Sequence, residues 1–278
     1  AVMPMRRTGG GWHEVEAPLA TVGTRYRFVL PDGTALPDPA SLCQPEGAAG
    51  PSEVVDLGRH AWRHPEWKGR PWHEVVLYEL HLGTFTPEGT FRAAMEPLAH
   101  LAALGVTAIE LMPVASFAGT RNWGYDGVLP YAPASAYGRP EDLQALVDAA
   151  HELGLMVILD VVYNHFGPEG NVLHTLAPEF ATERLHTPWG AGFDFARPAV
   201  RRFFIDNALH WLQDYRLDGL RLDAVHAIED DSGEHIVDAI AREVRDVIRD
   251  RQVHLILENE HNEARRLVRR DGEPVLYT

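Results

Sequence analysis

The sequence predicts an α/β fold with a parallel sheet, and three observations predict it. From Trp72 onward, short apolar runs alternate with segments of helical periodicity, as consecutive βα units do. The run at 155–162 is almost wholly apolar, as befits a strand covered on both faces. Acids, histidines and an arginine gather where the third, fourth and fifth runs end. In a β/α barrel those ends share one face, and that face carries the active site. No G-x-G-x-x-G opens the first unit, which weighs against a dinucleotide-binding sheet.

Residues 1 to about 58 form a separate compositional block. Residues 24–30 alternate, putting Tyr26, Phe28 and Leu30 on one face before the Pro31-Asp32-Gly33 turn, and 12–15 is expected as their partner strand. The Pro/Gly/Ala-rich stretch 37–51 reads as irregular. Two or three strands bury little, so this block must lean on the rest. Beyond it, 74–81 is the first strand of the sheet. Residues 90–104 carry helical spacing, with Pro97 expected to kink the helix or mark its true first turn. The second strand is 106–112, followed by a long loop rich in Gly, Pro and aromatics. The next helix has Pro140 at its first position, Glu141 and Asp142 at its positive end, and Gly154 behind it. After the 155–162 strand comes a long stretch, 164–198, without strong periodicity; loops of that length are usually functional. A helix over 199–215, a strand over 219–223, a helix over 234–250 with Ile236, Ile240, Val244 and Val247 inward, and a strand over 254–257 complete the pattern.

Composition narrows the functions. The 278 residues are 45% hydrophobic and carry a net charge of −15 without a basic run, so nucleic acid and anionic membrane are not expected partners. No apolar stretch approaches the ~20 residues that span a bilayer. A lone cysteine, Cys43, excludes an internal disulfide framework and suits a reducing, cytoplasmic compartment. Residues 1–7 are basic in part but lack the apolar core of a secretory signal.

The stretch that organises the chemistry is 218–226, D-G-L-R-L-D-A-V-H. Side chains alternate along a strand, so Arg221 and Asp223 point the same way. A guanidinium beside Asp223 would hold it ionised, by lowering its pKa roughly 1–3 units. Alone, the pair reads first as an ion pair closing a strand. Together with D-V-V-Y-N-H at 160–165 and Glu258 after Leu255-Ile256-Leu257, it reads as a catalytic centre. Two carboxylates in one cleft, one paired with Arg and one in an apolar setting, suit glycosidic bond cleavage. Asp223 would attack the anomeric carbon, and Glu258, with no adjacent Arg in sequence, would stay protonated as the acid. A hydrolytic metal site from Asp160, His165, His226 and Glu258 is the alternative, although neither H-x-H nor H-E-x-x-H spacing is present.

The segments 160–165, 219–226 and the strand ending in Glu258 resemble the first three signature regions of the α-amylase superfamily. A finer resemblance, to its malto-oligosyltrehalose trehalohydrolase family, is carried by 38–56, R-N-W-G-Y-D-G-V-L-P-Y-A-P-A-S-A-Y-G at 121–138, N-H-F-G-P-E-G-N at 164–171, T-P-W-G-A-G-F-D-F at 187–195 and L-E-N-E-H-N-E-A-R-R-L at 257–267. It implies a β-sandwich module, present in part over 1–58, before a (β/α)8 barrel represented over 59–278 by about its first five strands. It implies a retaining hydrolase that cuts the α-1,4 bond next to the trehalose end, with Asp223 as nucleophile and Glu258 as acid/base. Arg221 would orient Asp223. His165 and His226 would bond sugar hydroxyls, and Tyr125 would stack on the ring. Trp123 and Asp160 join the substrate-binding set; for Trp123 and Tyr125, simple loop packing is the competing explanation. Asn164 matches a calcium-binding position of many amylases but is assigned a structural role, so neither metal nor cofactor is expected. The resemblance further implies a functional link to a trehalose-forming isomerase.

The same superfamily contains branching and debranching enzymes, the next reading, and a non-catalytic glucan-binding relative is a third. Loss of Asp223 or Glu258 would favour the last; both are present. The fourth signature region, with a third carboxylate, is not in the sequence. A fragment of a longer protein is therefore expected, inactive by itself, with the first and fifth strands as unpaired edges.

Overall fold

The computed structural model describes residues 2–187, 190–261, 264–267, 269–270, 273–274 and 276–277. The motif segments 187–195 and 257–267 thus cross positions outside the described residues, at 188–189 and 262–263. Five parallel strands, β1 (Leu77–Leu80), β2 (Ala108–Leu111), β3 (Met156–Val161), β4 (Gly219–Leu222) and β5 (His254–Leu257), lie side by side in chain order. Each falls inside the run that the sequence assigns to it. Helices α1 (Leu98–Ala103), α2 (Pro140–Glu152), α3 (Pro198–Asp214) and α4 (Ile236–Val247) fill the crossovers.

The register sorts the side chains. Glu79 pairs with Glu110, Asp160 with Arg221, and Arg221 with Ile256. Those positions share one face, because side chains alternate along each strand. The opposite face, including Ile109, Leu111, Val157, Leu159, Leu220, Leu222, Leu255 and Leu257, is buried in the main core with Phe91, Leu143, Phe204, Trp211 and Ile240. All the charged residues of the sheet therefore fall on the face away from the helices.

As expected, Pro97 breaks the 90–104 helix, into Phe91–Ala94 and α1, and is the residue before the second piece; a mid-helix proline removes a hydrogen bond and clashes with the preceding turn. Several other local expectations need correcting. Helix α4 stops at Val247, which is 45% exposed and not inward. The stretch 164–198 contains an antiparallel hairpin, Ala181–Thr187 with Gly190–Phe193. Its base is fixed by aromatic contacts, Phe166 to Phe193 at 4.8 Å and Phe193 to Phe204 at 5.0 Å between ring centres. In the N-terminal block, His13–Glu14 pairs with Arg6–Arg7, not with 24–30, and Trp12 is 71% exposed. Arg25–Tyr26 pairs instead with Ser52–Glu53, and Phe28–Val29 with Ala35–Leu36. Buried Glu53 joins this block to the start of α2, accepting from Arg25 at 2.8 Å and Arg139 at 2.6 Å.

The edges also differ from expectation. The outer edge of β5 is partly paired: Leu257 N donates to Tyr277 O at 2.7 Å and Tyr277 N to Leu255 O at 2.8 Å, while the Tyr277 ring stacks on Trp72 at 4.2 Å. At β1, Val76, Leu77 and Tyr78 remain 40–54% exposed.

The N-terminal end of the sheet is closed by buried Asp218, which accepts from Trp67 Nε1 at 2.7 Å and Val157 N at 2.8 Å, with His151 Nε2 at 2.8 Å. That leaves the C-terminal strand ends as the open side. No helix among the described residues is long and apolar enough to cross a membrane.

Candidate active site

At the C-terminal ends of β3, β4 and β5, one guanidinium holds three carboxylates. Arg221 Nη1 donates to Asp160 Oδ2 at 2.6 Å and to Asp223 Oδ1 at 2.9 Å, and Nη2 lies 3.1 Å from Glu258 Oε2. The in-line strand ends explain the convergence: Arg221 sits beside Asp160 in register, Asp223 follows two residues later on the same face, and Glu258 follows Leu257, the partner of Leu222. Asp223 is further fixed by Asn164, whose Nδ2 donates to its backbone oxygen at 3.0 Å and to Oδ2 at 3.1 Å.

The chain then turns sharply. Ala224 adopts φ +43°, ψ +48°, a left-handed conformation that a residue with a Cβ occupies at a cost of roughly 1–2 kcal/mol. In that geometry its N–H points at Glu258 Oε2, 2.7 Å away. The strained residue thus links the two carboxylates from behind.

Two electrostatic expectations are overturned. Arg221 does not bring Asp223 below its ordinary value: burial raises the Asp223 carboxyl, and Asn164 and Arg221 offset that only in part, with Glu258 adding to the rise. Nor is Glu258 in an apolar setting without a cation, since Arg221 reaches it and its side chain is 45% exposed. Three dimensions supply the arginine that the local sequence lacks.

Asp160 and the aromatic loop form the back of the site. Asp160 is 1% exposed and is pushed up to about 7 by burial, against the pull of Arg221. Its Oδ2 also accepts from Tyr125 OH at 3.0 Å. Burial likewise raises the Tyr125 hydroxyl pKa, as does the charge of Asp160. His165 is buried: Nε2 lies 2.9 Å from Tyr125 O and Nδ1 faces Asn164 Oδ1. A neutral imidazole has one N–H, so it serves one of those two acceptors at a time; burial lowers its pKa. Asp160 and His165 therefore face protein groups at the back of the site. His226 lies to one side, 3.3 Å from Glu260 and 5.3 Å between ring centres from His261. Trp123 stands at the mouth, 63% exposed. No group of three or more His, Cys, Asp or Glu among the described residues is arranged to hold a metal ion.

Asn164 takes the structural role assigned to it, by holding Asp223 directly. Sequence reasoning missed one residue here. Glu110, 6% exposed on the inner face of β2, is pushed up to about 7 by burial and by Glu79, with Arg221 opposing. An acid inside the apolar run 106–112 is the signal that could have marked it. Because its folded pKa lies above the unfolded value of about 4.3, Glu110 supports stability fully at low pH and loses that support as pH rises toward 7. Glu110→Gln, which cannot ionise, is therefore expected to match the parent near pH 4 and exceed it at pH 8, by on the order of 3–4 kcal/mol. Urea unfolding at the two pH values measures this; an equal difference at both would rule out a buried, titrating Glu110.

Residues 49–179 match the family model for the alpha amylase catalytic domain. A malto-oligosyltrehalose trehalohydrolase of Deinococcus radiodurans is 52% identical over 95% of the chain and 43% of its own length. Its counterpart from Saccharolobus solfataricus is 44% identical over 95% and 46%. A crystal structure of an alpha-amylase candidate from Salmonella typhimurium superposes with a TM-score of 0.96 at 53% identity, covering 99% of this chain and 47% of that one. The chain spans just under half the length of the curated relatives it matches.

Proposed function

We propose that the chain, which matches the alpha amylase catalytic domain over residues 49–179, carries the nucleophile and acid/base of a retaining α-glycoside hydrolase that releases trehalose from malto-oligosyltrehalose. The observation that carries the proposal is the shared guanidinium, which joins Asp223 and Glu258 on neighbouring strand ends. In this reading Asp223 attacks the anomeric carbon of the glucose next to trehalose. Glu258, the more exposed of the two, gives its proton to the leaving oxygen, then takes one from the water that releases the sugar. Arg221 keeps Asp223 aimed while its charge is neutralised in the glycosyl-enzyme. Tyr125 and Trp123 offer ring faces to the glucan, and His226 bonds hydroxyls on the leaving-group side. His165 and Asp160 act on substrate through Tyr125 and Arg221.

The five strands fit the first five of a (β/α)8 barrel over 59–278, behind a partial sandwich module at 1–58. A cytoplasmic enzyme working on the product of a trehalose-forming isomerase completes the proposal. The test is to incubate the full-length enzyme with maltopentaosyl-trehalose and with amylose. Free trehalose from the first, with no α-1,6 branches in the second, is the expected result; branches without trehalose would assign a transferase instead.

A further inference from the structure

The loop at 119–126 bears both aromatic residues of the mouth, and it is pinned at two points by histidines from different strand ends. His165, after β3, holds Tyr125 O. At the other point is His81, which directly follows β1 and plays no part in the site as described so far. Its Nε2 lies 2.8 Å from Asn122 O. A carbonyl only accepts, so Nε2 carries the hydrogen. Tyr137 OH donates to the same carbonyl at 3.3 Å, and the His81 ring meets Trp123 edge-on, 4.9 Å between ring centres at 61°.

The Asn122 side chain relays that anchor through the loop. Its Oδ1 accepts from Gly124 N at 2.7 Å and Asp126 N at 3.3 Å, and its Nδ2 donates to Asp126 Oδ2 at 2.9 Å. The turn has no slack: Gly124 has φ +105°, and a Cβ there would stand 2.2 Å from Pro113 O. A ring as exposed as Trp123 would otherwise sample several rotamers, and binding would have to freeze them.

We propose that His81 is a positioning residue for glucan binding, holding the Trp123 ring and the Tyr125 backbone in the orientation that receives a sugar face. The inference rests on the functional reading above for the identity of the ligand, but not for the anchoring itself. His81→Phe keeps a ring against Trp123 and removes the donor; His81→Gln keeps a donor of similar reach. Titration with maltotetraose is expected to show about tenfold weaker binding for the Phe variant and no more than about threefold for Gln. In the hydrolysis assay the loss should fall in KM, with kcat nearly unchanged. Tyr137→Phe, which leaves His81 in place, should give a smaller shift in the same direction.

Amide exchange separates the two readings. Residues 122–126 should exchange faster in His81→Phe than in His81→Gln, with β3 and β4 unaltered. Unchanged exchange and affinity in His81→Phe, or equal damage from Gln and Phe, would overturn the anchoring role. If the parent protein binds no maltotetraose, the glucan reading fails, and the exchange result alone still decides whether His81 holds the loop.

Discussion

Asp223→Asn is expected to lower turnover of malto-oligosyltrehalose by roughly 10⁴-fold or more, the scale on which removal of a principal catalytic group acts. The amide cannot form the glycosyl-enzyme, and Tyr125 and Trp123, the rings proposed to receive glucan, are untouched, so maltotetraose affinity should stay within a few-fold of the parent. The structure adds a second consequence. Asp223 accepts from Arg221 through Oδ1 and from Asn164 through Oδ2. An Asn there that keeps its oxygen on Arg221 turns its NH₂ toward the Asn164 NH₂, two donors face to face. Asn164 has no easy flip, because its NH₂ also donates to the backbone oxygen of residue 223 at 3.0 Å, and a flip would set two oxygens face to face there. Loss of that buried hydrogen bond should lower stability by about 1–3 kcal/mol. Product release, maltotetraose titration and urea unfolding measure the three effects in the full-length enzyme. Residual turnover within a hundredfold of the parent would remove Asp223 from the nucleophile role.

How much of this was legible in the sequence depends on how local the cause is. Strands β3 and β5 and helix α2 could be read because their signals are contiguous: unbroken apolar runs, and Pro140 and Asp142 at the helix start, where Asp142 accepts from Arg139 N at 2.9 Å. The shared direction of Arg221 and Asp223 follows from strand alternation alone. The reach of Arg221 to Glu258 does not, since it depends on β4 and β5 being neighbours in register. For the same reason the charge state of Asp223 was misread: its desolvation is a property of the packed sheet, not of flanking residues. The hairpin at 181–193 escaped notice because its stabilising partners, Phe166 and Phe204, lie outside it in sequence. Ala224 carries no mark of its left-handed turn, since alanine is not a residue that such a turn selects.

Arg221→Leu should have the largest effect on stability, and its pH dependence identifies the cause. The Asp160 side chain is fully buried and Arg221 is the cation it meets, so removing the guanidinium strands a carboxylate, which typically costs about 3–5 kcal/mol. With Arg221 present, Asp160 in the folded protein sits at about 7, well above its unfolded value of roughly 3.9. Its stabilising contribution is therefore fully present at low pH and is lost as pH rises through 7. Without Arg221 the folded pKa climbs further, because of the groups that favour ionisation only the Tyr125 hydrogen bond remains. Below pH 6 both proteins hold Asp160 protonated and differ little through this group. Above pH 7 the parent's loss levels off while the variant's continues, so the gap widens toward pH 9. Arg221→Leu combined with Asp160→Leu should recover most of the alkaline loss, because no buried charge then remains to be compensated. Urea unfolding of the parent, single and double variants between pH 5 and pH 9 gives the answer. A destabilisation that is the same at both ends of that range would mean that Arg221 supports the sheet by packing alone, and that Asp160 does not depend on it for its charge.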